Sequence, residues 1–181
     1  MSVKSKISQS KMELEVDIES MFGVPVENES LRQQIGQALI DKITERTGNA
    51  QRLGGGSFKG YSTEYKNSLA YKVGRKSGDV NLKLTGDMLE TLDIKNDTDS
   101  MIKLGWESST QNAKAFNHHT GDTLPKRPFF GLQKNELDAV ASEFQSRVDL
   151  KSRLSKAKEN FQETAVNEIK RILLGQEDED V

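Results

Sequence analysis

From Met12 to Glu19 apolar and acidic side chains alternate without a break. Met12, Leu14, Val16 and Ile18 fall on one side, and Glu13, Glu15, Asp17 and Glu19 fall on the other. A period of two is the signature of a β-strand that buries one face and wets the other. The feature therefore calls for a sheet with a packed side and an acidic side. Such a charged outer face also discourages uncontrolled edge pairing, so the same segment suits a strand or arm that bridges subunits.

A chain of 181 residues suits one domain with a real core and room for an appendage. Charged residues make up 30% and hydrophobic ones 34%, which is polar for a free-standing globule and points to elements packed against other subunits. With 26 basic against 28 acidic residues the net charge is -2. The whole-molecule field thus favours neither nucleic acid nor an anionic membrane, and any basic site has to be local. The chain has no cysteine, which excludes disulfides, thiolate metal sites and a cysteine nucleophile and is compatible with a reducing cytosol. Lys4, Lys6 and Lys11 near the start are followed by no apolar run, and no window is long enough to span a bilayer. These features predict a soluble, non-secreted protein.

Helical signals come next. Ser30 and Gln33 have capping-box spacing, and Leu31, Ile35, Leu39 and Ile43 recur every fourth residue, so the spacing predicts an amphipathic helix over 30–47 closed by Gly48. Residues 49–78 read as a long basic, aromatic loop. They carry Arg52, Lys59, Lys66, Lys72, Arg75 and Lys76, interleaved with Phe58, Tyr61, Tyr65 and Tyr71, with Glu64 as the acid among them. Loops of that length are functional or mobile. Val80, Leu82 and Leu84 alternate as a strand, as do Ile102, Leu104 and Trp106. Between them Leu89, Leu92 and Ile94 begin as a helical turn and run into a strand, with Asn96 to Ser100 as turn chemistry. Beyond residue 132, Leu137, Val140, Ala141, Phe144 and Val148 form one helical stripe. Leu154, Ala157, Phe161, Ala165, Ile169, Ile172 and Leu173 form another. The phase changes near Asp149 to Ser152, which predicts two helices or one bent helix, the second serving as an interface, before Gly175 and an acidic tail at 176–181.

The chemistry-bearing residues point away from catalysis. His118 and His119 are adjacent, so their side chains diverge and make poor joint ligands for one metal, and packing is the expected role. Gly54, Gly55 and Gly56 precede Lys59 without the nucleotide-binding spacing. Ser57, Ser62 and Ser68 have no nucleophile-elbow context. The basic aromatic loop is the candidate contact surface: Arg52, Lys59, Tyr61, Tyr65, Lys66, Tyr71, Lys72, Arg75 and Lys76 suit an acidic protein neighbour or, alternatively, DNA, whose bases stack on rings and whose phosphates pair with cations.

Two segments carry a family resemblance. Val80 to Leu89 contains Thr85, Gly86 and Asp87. Leu124 to Leu132 sets Lys126 and Arg127 between Pro125 and Pro128, then adds Phe129, Phe130 and Gly131. The prolines lock an extended backbone that docks, with the two rings as core anchors and Arg127 free to make a forked ion pair with a carboxylate. In combination the segments resemble the phage virion-morphogenesis and tail-completion proteins over residues 30–145. The resemblance implies a short helix over Ala113 to Gly121 and a helix directly after the proline segment. It also implies a structural role at the phage neck or tail end, in or on a homo-oligomeric ring that joins the capsid connector to the tail. Expected neighbours are portal, adaptor, tail terminator or tail tube. The expected location is the virion, after synthesis in the cytoplasm of the bacterial host, with no catalysis, cofactor or membrane.

The expected fold is α+β: an antiparallel sheet of three to five strands, packed with an N-terminal helix and long C-terminal helices. Residues 1–29 form a strand or arm, 30–148 the α+β domain with the loop 49–78, 149–175 a C-terminal helix and 176–181 the acidic tail. Residues before 20 and after 150 lie outside the resemblance.

Overall fold

The computed structural model describes residues 3–73, 80–82, 87–122 and 124–174. Arg75, Lys76, Thr85, Gly86, Gly175 and the tail 176–181 lie outside the described residues.

The alternating segment forms β2 (Met12–Asp17), and it is an interior strand. β1 (Val3–Ile7) pairs on one side of it and β4 (Met101–Trp106) on the other, and β3 (Leu92–Asp97) completes a four-stranded antiparallel sheet of order β1-β2-β4-β3. The charged face is compensated rather than bare. In register, Lys4 lies opposite Glu15 and Lys6 opposite Glu13. Lys103 pairs with Glu15 at 2.9 Å and Lys11 with Glu13 at 2.8 Å. Opposite charges directly across a ladder stabilise it, and lysines on the outer strand blunt the edge. Hydrogen bonding from Lys103, reinforced by its charge, holds the Glu15 carboxyl below its ordinary value.

The other face is apolar. Leu14 sits opposite Leu104, Val16 opposite Ile102 and Leu92 opposite Trp106, all buried. α2 (Glu29–Gly48) lays Leu31, Ile35, Leu39 and Ile43 over that face. Gly36 permits the close approach, since a Cβ there would overlap Ile94. α1 (Ile18–Phe22) and the first half of α7 (Lys134–Leu174) close the core with Met21, Phe22, Leu137, Val140, Phe144 and Val148. The α+β class and the sheet of three to five strands agree with the sequence reading.

Several details differ. The cap of α2 is Asn28, whose side chain accepts from Leu31 N at 2.9 Å, and not Ser30; asparagine is at least as good a cap and stands where the chain is still extended. Gly48 is the last helical residue, and the left-handed turn falls on Ala50 (φ 58°), because Gln51 N then reaches back to Arg46 O at 3.0 Å. The loop 49–78 is not without regular structure. It contains α3 (Thr63–Asn67) and α4 (Leu69–Val73), and a turn over Arg52–Gly56 that Phe58, buried, pins to the core. Val80 and Leu82 are buried but form no strand, since Leu82 takes φ 56°, which no strand admits; Leu84 lies outside the described residues. α5 (Asp87–Glu90) supplies the expected helical turn before β3. Finally, α7 is one helix of 41 residues with no break at 149–152, so the expected division there is not a helix boundary.

Candidate functional site

Two surfaces stand out, and the proline segment organises the first. α6 (Ser109–Thr120) ends at Gly121, whose φ of 81° turns the chain and whose N–H bonds Asn117 O at 3.1 Å. A Cβ on Gly121 would come within 2.6 Å of Lys126, so only glycine allows the returning segment to lie this close. That segment is then stitched down residue by residue. Arg127 N donates to His118 O at 2.7 Å, Leu53 N to Pro128 O at 2.7 Å, and Phe130 N to His119 Nδ1 at 3.2 Å. Phe129 and Phe130 are fully buried beside Trp106, with ring centroids 6.2 and 4.8 Å from it. The indole N–H of Trp106 donates to Met88 O at 2.6 Å. The rings are core anchors, and the helical segment at 113–121 and the helix after the prolines are both present as α6 and α7.

Arg127 is 3% exposed yet has no carboxylate within ion-pair distance among the described residues. Its guanidinium donates to Lys59 O at 3.2 Å and lies 5.3 Å from the centre of the Tyr61 ring. Tyr61, Tyr65 and Tyr71 form a mutual cluster with centroids 5.1 to 5.7 Å apart. Tyr61, Tyr65, Leu82, His118, Pro125 and Arg127 line an open cavity of about 450 Å³. Burial lowers the Arg127 guanidinium and raises the Tyr61 hydroxyl. Burial, with the Arg127 charge adding to it, pushes the His118 imidazole down to about 4, so it is neutral at pH 7. His119 is lowered as well, mainly by burial. The arrangement is a cation held in an aromatic wall beside a neutral imidazole.

The remaining candidate residues separate. Arg52 is exposed and its Nε holds Gly55 O at 2.6 Å, which makes it a turn clamp. Lys59, Lys66 and Lys72 are exposed around the tyrosine cluster. Asp87 is exposed at the start of α5, where its carbonyl accepts from Thr91. Pro125 and Pro128 are half-buried, and Gly131 (φ 152°) packs against Leu53.

Two buried arginines escaped the sequence reading. Arg32 donates to Val26 O, Glu27 O and Asp99 Oδ1, and ties the β3–β4 turn to the start of α2. Arg46 pairs with Glu136 and donates to Phe129 O and to Gly131 O at 2.8 Å. A signal existed: positions 32 and 46 lie three residues outside Ile35 and Ile43, on the apolar stripe itself, where a cation needs a buried partner.

The second surface is the distal half of α7. Leu150, Leu154, Phe161, Ile169, Ile172 and Leu173 are all more than half exposed, Phe161 at 75%. Near its start this half is tied to the domain by Ser155 Oγ donating to Glu27 Oε2 at 2.5 Å. Among the described residues no helix is long and apolar enough to cross a membrane. The fold and these surfaces define an α+β protein that carries a projecting helix and an aromatic-lined pocket. No family model, no curated protein and no solved structure matches this chain.

Proposed function

We propose that this chain is a structural phage virion protein of the neck or tail end, which forms or decorates a homo-oligomeric ring between capsid connector and tail. The division of α7 carries the reading. One half closes the core, whereas the other projects with apolar side chains that the chain itself leaves uncovered. A soluble chain keeps such a surface for other protein. The proline segment supports the same reading, since Pro125, Arg127, Pro128, Phe129 and Gly131, which carry part of the resemblance to the tail-completion proteins, build the platform under the pocket. The neighbours are other virion proteins, from portal and adaptor to tail terminator and tube. No step of catalysis is assigned.

Quantitative mass spectrometry of purified particles tests the proposal. The expected result is this chain in the particle at a copy number divisible by six. Absence from particles and from assembly intermediates refutes it. DNA contact through the basic aromatic loop 49–78 is the alternative, but the tyrosine rings that would stack on bases pack tilted or edge-on against one another. Binding to random duplex that falls steeply with salt would support that alternative.

A further inference from the structure

Because α7 is unbroken, the direction of each side chain around its axis follows from about 100° per residue. The proximal stripe of Leu137, Val140, Ala141, Phe144 and Val148 is buried against the domain. The distal stripe of Leu150, Leu154, Ala157, Phe161, Ala165, Ile169 and Ile172 points in a direction roughly 100° away from it. A helix that merely overshot its own core would keep one phase. The phase change turns the distal stripe towards a separate body.

We propose that this body is a second copy of the chain, with the distal halves of two α7 helices docked antiparallel about a two-fold axis between Ala157 and Phe161. Side-chain volume selects that centre. In this register Phe161 lies opposite Ala157 of the second copy, and Leu154 lies opposite Thr164, beside Ala165. The largest side chain of the stripe thus meets one of its two smallest. A parallel pair in register would set Phe161 on Phe161 and alanine on alanine, crowding one layer and leaving the next ones thin.

Charge selects the same orientation. Lys151, Arg153, Lys156 and Lys158 form a run without an acid, and Glu159, Glu163 and Glu168 follow without a cation until Lys170. Antiparallel overlap about that centre sets the basic run of each helix along the acidic run of the other. Parallel overlap stacks cation on cation over the first two turns. The contact is isologous, as a two-fold pair requires. It does not depend on the virion reading, because it is a property of the free chain and is tested on the free chain.

The native sequence has no cysteine, so one substitution places one spin label. The full chain carrying Asn160→Cys, Lys151→Cys or Asn167→Cys is labelled, and intermolecular distances are read by pulsed electron resonance. Antiparallel pairing gives a short distance at 160 and adds an axial offset of about 24 Å at both 151 and 167. Sedimentation equilibrium of the unlabelled full chain at micromolar concentration should show a dimer. Phe161→Asp, at an exposed position, should raise the dissociation constant by roughly 100-fold and leave the thermal midpoint of the monomer unchanged. Ala157→Asp should do the same through the facing layer. A monomer at these concentrations, equally short distances at all three sites, or a dimer indifferent to both substitutions would overturn the proposal.

Discussion

Neutralising Glu136 by Glu136→Gln removes the counter-charge of Arg46 without changing side-chain volume, and it should be the most damaging isosteric change in the chain. The Arg46 side chain is 4% exposed and that of Glu136 is 10% exposed. Arg46 joins three elements at one point: it stands on α2, pairs with Glu136 in the first turn of α7, and donates to the carbonyls of Phe129 and Gly131 at the end of the proline segment. Glu136 in turn accepts from Gln133 N at 2.7 Å and so caps its own helix. Breaking one side of a buried pair costs about 3–5 kcal/mol, because the remaining charge stays desolvated. Against a total stability of about 5–15 kcal/mol, the variant should fold but melt early in urea, with the midpoint lower by roughly 1–3 M at unchanged slope. Arg46→Met should cost more than Glu136→Gln, since it also strands two carbonyls at about 1–3 kcal/mol each. Combining Arg46→Met with Glu136→Gln removes both charges, and the double variant should be at least about 2 kcal/mol more stable than the sum of the single losses predicts. Urea unfolding of all four proteins gives the cycle. A loss under about 1 kcal/mol for Glu136→Gln, or strict additivity in the double variant, would refute the view that a desolvated ion pair locks the platform to the helices.

Phe129→Ala should destabilise the domain by about 3–5 kcal/mol, because its ring is fully buried against Trp106 and Phe130; thermal unfolding measures it, and a loss under about 1 kcal/mol would place the ring outside the core. His118 falls from 6.5 to about 4 on folding, so between these values the unfolded chain binds more protons. Stability from this group is therefore complete above pH 6.5 and declines as pH drops towards 4, by at most about 3 kcal/mol, and the difference in unfolding free energy between the native chain and His118→Gln across that window reads it out. A chain ending at Lys158 should unfold with the same cooperativity and within about 1 kcal/mol of the full chain at concentrations where both are monomeric, since among the described residues the side chains beyond that point are exposed with Ala165 as the half-buried exception.

Much of the architecture was legible because it is written in period. The alternation from Met12 declared β2, although the strand ends at Asp17 and Ile18 and Glu19 open α1; the four-residue recurrence from Leu31 to Ile43 declared α2, and the paired rings between Pro125 and Gly131 declared a core anchor. Burial of one face imposes such periods wherever an element meets a core, so they survive in the chain without any knowledge of the partner. What escaped has no period of its own. β1, Val-Lys-Ser-Lys-Ile, has one half-buried residue and exists because β2 offers it a ladder with opposite charges in register. Leu82 reads as strand but takes a left-handed turn. The phase change at 149–152 was visible, yet a break in the helix and a change of the surface it faces look alike in one dimension. Only the tertiary structure decided against a break, by carrying α7 as one helix past the point where it leaves its own core. The same holds for Arg32 and Arg46, whose places on an apolar stripe were readable, while their partners lie 67 and 90 residues away. Local sequence carries the demand that a buried charge be met; which distant carboxylate or carbonyl meets it follows from the chain's path through space.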